Sequence, residues 1–384
     1  EIDRYLRANP ADAVAIAGKF SVRNPVLEAA AAECARRYYP VERIAQSHAL
    51  SVLDFPARAA TTRLNAGIKE EVSRLASLLG ARRRDFLFFR GDGGLTTPEN
   101  ALLDPSILYN SSPAAAALGA HYLTKLSGFL AVDIGGTTTD LVPVENGMPS
   151  TQELTFEGAR TVTRVVKAES LPFGGDSVVR DSIEPWRDGN ALAFGGRLPT
   201  LTDALNRAGY EIGDYETASA LERERAEEVI EDYCDRVAAA VAAHDPARIV
   251  GCGYLAPFLV PEIARRADRP CVVPPHAACA NAVGVAVSRV SLTLHAHFDG
   301  SRGRVVMNGE MKRVERVGDD DELIAVCTAE VRRRALAAGA HPRDLHEVRV
   351  LHCNSFDVVR GSYRASRIAD IVVQVAPGIT AEAR

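Results

Sequence analysis

The segment Val132-Asp133-Ile134-Gly135-Gly136-Thr137-Thr138-Thr139-Asp140 holds residue types that can do phosphate chemistry, at a spacing that suits it. An apolar run delivers Asp133 at its carboxyl end. Gly135 and Gly136 follow, so the backbone can turn and approach an anion without interference from a Cβ. Thr137, Thr138 and Thr139 add hydroxyl donors, and successive backbone N–H groups in such a turn form an anion-binding concavity. Asp140 returns the chain into a second apolar run. The pattern predicts a β-hairpin phosphate cradle, with Asp133 and Asp140 positioned to hold hydrated Mg²⁺. A lone Gly-Gly-Thr would be an ordinary hairpin turn. The full Asp-x-Gly-Gly-Thr-x-x-Asp between two apolar runs favours phosphate.

Other positions carry weaker signals. Gly91-Asp92-Gly93-Gly94 follows a short apolar strand, and ligands of doubly wound sheets sit at the carboxyl ends of strands. Asp92 there could bind a metal, orient a substrate or act as a base; the plain reading is an Asp-Gly turn. Gly174-Gly175-Asp176-Ser177 reads as a Gly turn opening a helix near Val178, with Asp176 or Ser177 as its cap. Nucleotide contact and a capped turn both fit. Gly251 and Gly253 flank Cys252 after a strand and allow close approach of a ligand. His276 reads as a helix cap or a base contact. His48 follows a strand and could face a substrate. His295 and His297 share one strand face, a spacing that could bind a metal. No third ligand is evident, so solvated or stacked histidines are the simpler reading.

Taken in order, several segments resemble a known family. These are Phe20-Ser21-Val22-Arg23-Asn24-Pro25 with Glu28, Ser47-His48 with Arg58, Thr61, Thr62 and Asn65-Ala66, Gly91-Asp92-Gly93-Gly94, and Ser111-Ser112-Pro113-Ala114-Ala115. The Gly/Thr hairpin, Gly174-Gly175-Asp176-Ser177 and Asn281-Ala282-Val283-Gly284 complete the set. Residues 12–290 are similar to the hydantoinase A / 5-oxoprolinase family of the actin–hexokinase–Hsp70 superfamily. The resemblance implies an α/β, actin-like ATPase (ribonuclease H-like) fold with mixed sheets, plus a small C-terminal α+β module. It implies ATP and Mg²⁺ as cofactors and a cyclic amide or related carbonyl as substrate, phosphorylated to drive ring opening. A hydantoinase B-type subunit is the implied partner, and a homo-oligomer is open. Carried onto this sequence, Asp92 and Asp133 are the catalytic candidates, and Asp133 and Asp140 the metal candidates. Gly135, Gly136, Thr137, Thr138, Gly174, Gly175, Asp176, Gly251, Gly253 and Asn281 are the nucleotide candidates.

The sequence also departs from the family pattern. Cys252 interrupts a Gly-Gly pair that lies against adenosine in the superfamily. Leu27 stands where the family often has His. The family's first phosphate hairpin precedes the matched part. Since Glu1 opens what reads as a helix interior, we expect the numbered chain to begin partway through a longer protein. The alternative readings are an ATP-driven chaperone or reactivating factor for a partner enzyme, and a small-molecule kinase, because fold does not determine function.

The elements that must position these residues follow from periodicity. Strands are expected at 13–17, 43–46 and 86–89, and helices at 25–37 (Asn24 capping, Pro25 first), 57–79 and 113–126. That alternation predicts a parallel or mixed α/β sheet. From Phe129 an antiparallel meander is expected over 129–133, 140–144, 153–156 and 161–168, turning at Asn146-Gly147 and Glu157-Gly158. Helices at 218–243, 257–267 and 277–290 and strands at 248–251 and 271–273 follow, then a module with a helix at 320–338 and strands at 291–297, 303–306, 348–352 and 371–375. The expected domains are 1–127, 128–290 and 291–384.

Composition narrows the class. Of 384 residues, 47% are hydrophobic and 25% charged, ordinary values for a globular protein. The net charge of −5 gives no electrostatic reason to expect nucleic acid or an anionic membrane as a partner. Arg82-Arg83-Arg84 and Arg332-Arg333-Arg334 read as solvated helix ends. No apolar run reaches the roughly 18 residues of a membrane span. Seven cysteines, with no Cys-x-x-Cys, fit neither a disulfide framework nor a zinc knuckle and point to a reducing cytoplasm.

Overall fold

The computed structural model describes residues 1–82, 85–361 and 363–383. They form two compact units: Glu1–Tyr109 with Gln152–Val165 and Ser288–Arg384, and Asn110–Thr151 with Val166–Val287. In chain order the first segment carries α1 (Ile2–Ala8), β1 (Val14–Ile16), α2 (Val26–Ala35), β2 (Ile44–Gln46), α3 (Phe55–Gly80), β3 (Phe88–Phe89), β4 (Leu95–Thr96) and α4 (Pro98–Leu103). The middle carries α5 (Ser111–Thr124), β5 (Phe129–Ile134), β6 (Thr139–Glu145), β7 (Met148–Pro149), β8 (Thr151–Phe156), β9 (Ala159–Val166), β10 (Glu169–Leu171), β11 (Ser177–Val179) and β12 (Ile183–Arg187). It continues through α6 (Leu201–Arg207), α7 (Arg223–Ala243), β13 (Ile249–Cys252), α8 (Ala256–Arg266), β14 (Cys271–Val272) and α9 (Ala280–Val287). The last segment carries β15 (Leu292–Asp299), β16 (Arg304–Met307), β17 (Glu310–Arg313), α10 (Asp320–Ala337), β18 (Val348–Arg360) and β19 (Tyr363–Val375).

The second unit is built on one mixed sheet, ordered β10-β6-β5-β13-β14, with β7 on β6. β5, β13 and β14 run parallel, whereas β5–β6 and β6–β10 are antiparallel. The residues of β5 are buried throughout and divide between the two faces of the sheet. Leu130, Val132 and Ile134 join Leu205, Val229, Tyr233, Val237, Leu259 and Ile263 in a core beneath α6, α7 and α8. Ala131 and Asp133 therefore point to the opposite face, where α5 and α9 pack. Those two helices cross closely on small residues. A Cβ on Gly119 would run into the Ala280 carbonyl, and one on Gly284 into that of Ala115.

In the first unit the parallel pair β1–β2 stays two-stranded. This pair is parallel, as the segment's alternation predicts, while the third expected strand, β3, pairs antiparallel with β4 instead of joining it. Asp54 caps α3, its side chain accepting from the Ala57 N–H at 3.1 Å. Asn24 accepts from the Val26 N–H at 3.3 Å, while Pro25 holds the N-cap position of α2 rather than its first turn.

The expected meander breaks after β7. β8 and β9 form a separate antiparallel pair, and β10 then returns to β6. Leu154 and Val165 of that pair bury against Leu64 of α3, with Ile68 packed alongside, so apolar burial outside the mixed sheet takes the hairpin away. The turns are as expected: Asn146-Gly147 and Glu157-Gly158 have positive φ at both positions (52°, 76°, 48° and 76°), the twist that tight hairpins require.

In the last segment the antiparallel sheet β17-β16-β15-β19-β18 lays Leu294, Ala296, Phe298, Ile371 and Val373 on Leu323, Cys327 and Val331 of α10. β18 and β19 are each 13 residues long and outrun the strands expected there, since they pair along almost their whole length. Arg332, Arg333 and Arg334 are engaged by the Leu345 carbonyl, Glu330 and Glu310. Of the other arginine cluster, Arg83 and Arg84 lie outside the described residues.

Candidate functional site: a hairpin over two buried carboxylates

The Gly/Thr segment forms the expected hairpin. Asp133 sits directly opposite Asp140 in the β5–β6 register, Ile134 opposite Thr139, and the Gly135 N–H donates to the Thr138 carbonyl at 3.0 Å. Gly135, Gly136 and Thr137 are exposed at its tip. Neither glycine has a positive φ, so the turn itself does not require them. For Gly136 the reason is the loop above; a Cβ on Gly135 would meet only the hairpin's own Thr138 carbonyl, at 3.2 Å. The Gly175 and Asp176 N–H groups donate to the Gly135 and Gly136 carbonyls at 2.9 and 2.7 Å. A Cβ on Gly136 would sit 2.5 Å from Asp176 Oδ2, and one on Gly174 would strike the Gly135 carbonyl.

That loop corrects the reading of a helix near Val178. Ser177–Val179 is strand β11, paired with β12, so no helix N-terminus faces the hairpin here. The Ser177 hydroxyl accepts from the Gly174 N–H at 2.9 Å and closes the loop locally. The anion-facing N–H groups expected of this stretch are instead spent on the hairpin's carbonyls.

Beneath the tip, two carboxylates share a largely dry space. Asp133 is 6% exposed and Asp140 9%. Burial first, and the Asp140 charge second, push the Asp133 carboxyl up to about 6, against a hydrogen bond from Asn281 that lowers it. Burial also raises Asp140, opposed by hydrogen bonds from Ser170 and Thr138. Thr138 Oγ1 donates to Asp140 Oδ2 at 3.3 Å. Two facing carboxylates with no cationic partner among the described residues suit a divalent cation. Mg²⁺ keeps most of its waters and takes one or two carboxylates, so this donor set fits it. No group of three or more His, Cys, Asp or Glu residues arranged for a metal occurs among the described residues.

The other strand face anchors the hairpin from below. Thr139 Oγ1 donates to the Phe173 carbonyl at 2.9 Å and shares a 2.7 Å hydrogen bond with the Tyr233 hydroxyl. Tyr233 is fully buried, and burial pushes its hydroxyl well above the usual range. No sequence signal near the hairpin could reveal this contact, because Tyr233 lies 94 residues away on α7.

Asn281, read from sequence as a nucleotide contact, lies at the start of α9, where its amide donates to Ser112 Oγ at 2.9 Å and its side chain also holds Asp133. Gly253 (φ 89°) passes so close to the Ile134 carbonyl that a Cβ would collide. Gly251 faces the other way, where a Cβ would crowd Val260, Val273 and Ala256. Its bareness serves strand–helix packing. Cys252 shares the Asp133 face but is fully buried against the Ala116 carbonyl, and burial raises its thiol far above its ordinary range.

The remaining candidates are held as follows. Asp92 lies in the first unit, buried, with its carboxylate held by Arg90 at 2.6 and 3.1 Å and by the Gly94 N–H at 3.1 Å. Glu28, Ser47, His48 and Arg58 make one buried network. Glu28 accepts from the Gly18 N–H (2.6 Å), Ser47 Oγ (2.5 Å) and the His48 N–H (2.9 Å), and pairs with His48 Nδ1 (2.7 Å). Burial alone would raise Glu28; the bonds from His48, Ser47 and Gly18 outweigh it and hold the carboxyl near 2. Arg58, fully buried, donates to Ser47 Oγ and to the carbonyls of Gly18, Lys19 and Val52. His276 occupies a cap position (φ 65°) without a side-chain cap bond. His297 pairs with Asp370, and burial then the neighbouring His352 lower His295 to about 4.

Residues 58–243 match the family model described as hydantoinase/oxoprolinase. The caprolactamase subunit alpha of Pseudomonas jessenii is 28% identical over 234 residues, which are 54% of this chain and 33% of that protein. The chain thus matches about a third of the length of this curated relative. Among solved structures, the ATP-dependent caprolactamase of Pseudomonas jessenii aligns with a TM-score of 0.59 at 18% identity, covering 97% of this chain and 65% of that one. A nucleotide-free acetone carboxylase aligns with a TM-score of 0.68 at 15% identity, covering 98% and 66%. At such identities these two likenesses concern the fold.

Proposed function

We propose, for a chain whose residues 58–243 match the hydantoinase/oxoprolinase family model, that it is an ATP-dependent subunit of that family acting on a cyclic amide or related carbonyl. The observation that carries this reading is the hairpin itself: Asp133 and Asp140 paired and buried beneath an exposed Gly-Gly-Thr tip. An actin-like (ribonuclease H-like) architecture is supported by the likeness to the caprolactamase and acetone carboxylase structures.

Bound ATP would supply its γ-phosphoryl group to the substrate's carbonyl oxygen with ADP leaving, so that water can add to the activated carbon and the ring C–N bond can break with release of phosphate. The chain's own residues have simpler duties. Backbone N–H groups of Gly136, Thr137 and Thr138 and the Thr137 hydroxyl would hold phosphate oxygens, whereas the Gly135 N–H and the Thr138 hydroxyl are engaged within the hairpin. Asp133 and Asp140 would hold hydrated Mg²⁺, which relieves the repulsion between them. Asn281 keeps Asp133 in place, and Thr139 with Tyr233 keeps the tip from shifting. Gly174, Gly175 and Asp176 brace the tip from above. A partner subunit is supported by the relative's designation as a subunit alpha, and we propose that it is of the hydantoinase B type. Seven free cysteines suit a reducing, cytoplasmic setting.

The test is ATP hydrolysis by the chain together with its partner subunit, with and without 5-oxoproline, hydantoin or caprolactam. Phosphate release that depends on a cyclic amide is the expected result. Hydrolysis stimulated only by a client protein would shift the assignment to a chaperone or reactivating factor. Absence of Mg²⁺-dependent nucleotide binding would remove both.

A further inference from the structure

We propose that Arg187 is a phosphate-binding side chain of this hairpin, supplying the cation that the Gly/Thr sequence itself lacks. The proposal rests on the nucleotide reading above and names a further residue for that site. Arg187 ends β12, the strand that pairs with β11 just beyond the bracing loop. Its Nη1 donates to Thr137 Oγ1 at the hairpin tip at 3.0 Å, and lies 3.7 Å from Asp176 Oδ2. Its side chain is 43% exposed, and Gly135, Gly136 and Thr137 at the tip it touches are exposed as well.

Each part of this arrangement has a physical purpose. The space below the tip carries two carboxylates, and Asp176 adds a third anion above it. An incoming polyphosphate would meet repulsion from all three. Mg²⁺ answers Asp133 and Asp140; Arg187 answers Asp176. Asp176 is placed so that its carboxylate sits over Gly136 and keeps the guanidinium beside Thr137 before any ligand arrives. A planar, permanently charged guanidinium suits a phosphate oxygen better than a lysine ammonium would, since it offers two parallel N–H groups. Arg187 thereby exchanges a distant carboxylate partner, 3.7 Å away, for a charge-assisted bond to phosphate.

The protein carries its own reporter. Trp186, the one tryptophan in the chain, precedes Arg187 on β12, 39% exposed, with the Arg180 guanidinium 5.3 Å from its ring centroid. Movement of β12 on ligand binding should change its fluorescence.

The experiment compares the unaltered chain with Arg187→Ala and Arg187→Lys by titration calorimetry against Mg·ATP, Mg·tripolyphosphate and adenosine, with Trp186 fluorescence recorded alongside. Thermal melts of each variant check that the fold is intact. Loss of a charge-assisted bond predicts ATP and tripolyphosphate binding about ten- to a hundredfold weaker in Arg187→Ala, with a smaller loss in Arg187→Lys. Adenosine affinity should not change. The Trp186 response to ATP should shrink along with the affinity. If Arg187→Ala binds ATP within about twofold of the unaltered chain, the role assigned to Arg187 is wrong while the nucleotide reading stands. If adenosine binding falls equally, Arg187 is structural. If the unaltered chain binds neither ATP nor tripolyphosphate, both fail together.

Discussion

Replacing Asp133 by Asn should make the nucleotide-free protein more stable while abolishing its Mg²⁺-dependent function. Asp133 is buried, faces Asp140 across the strand pair and titrates near 6 instead of 3.8. The folded state therefore holds the Asp133 proton more tightly than the unfolded chain does. For a group raised in this way, its favourable contribution is complete below the unfolded value of 3.8 and is lost as pH rises through about 6. At about 1.4 kcal/mol per pH unit, keeping Asp133 ionised above that range costs the second unit about 3 kcal/mol. Asn keeps an amide that can still bond Asn281 and removes one of the two facing charges. Urea unfolding followed by Trp186 fluorescence reports on this unit specifically, because the lone tryptophan lies in β12. At pH 7.5 the Asp133→Asn midpoint should exceed that of the unaltered protein by the equivalent of about 3 kcal/mol. The difference should close as pH falls through 6 towards 4. Saturating Mg·ATP should stabilise only the unaltered protein. Equal stabilities across that range, or a less stable Asp133→Asn variant at pH 7.5, would refute the account of two carboxylates awaiting a cation.

Two further outcomes follow from contacts elsewhere. Gly174→Ala drives a Cβ into the Gly135 carbonyl and the Gly136 backbone. It should cost about 1–3 kcal/mol in Trp186-monitored unfolding and weaken ATP binding, with adenosine binding less affected. Glu28→Gln tests the first unit. Glu28 is held near 2 against an ordinary value of 4.5, so its stabilisation is present above 4.5 and lost as pH falls through 2. The variant should lose about 2–3 kcal/mol at pH 7 by circular dichroism melts, and its stability should respond less to acid across that window.

The residues of the hairpin were legible in the sequence because their chemistry is local. Two short apolar runs, each meeting an Asp, joined by a Gly/Thr stretch too short for anything but a tight connection, specify the β5–β6 hairpin without help from the rest of the chain. The same holds for Asn146-Gly147 and Glu157-Gly158, whose backbone preferences alone demand their turns. What tertiary structure decided was which distant groups reach that hairpin. Ser177–Val179 carries no periodicity long enough to separate a strand from a helix start, and pairing with β12 settled it. β8 and β9 alternate as well as any strand of the mixed sheet, yet burial against α3 moved them out of it. Gly135 and Gly136 looked like turn residues, but neither adopts a left-handed conformation; the loop carrying Gly174, Gly175 and Asp176 is what leaves no room for a Cβ on Gly136. Tyr233 and Arg187, the two side chains that hold the hairpin from opposite ends, lie 94 and 50 residues away from their threonine partners. Sequence determined the cradle, since its bonds run between near neighbours. Only the folded chain could supply its anchor and its cation, since those depend on which strand faces and helix surfaces burial brings together.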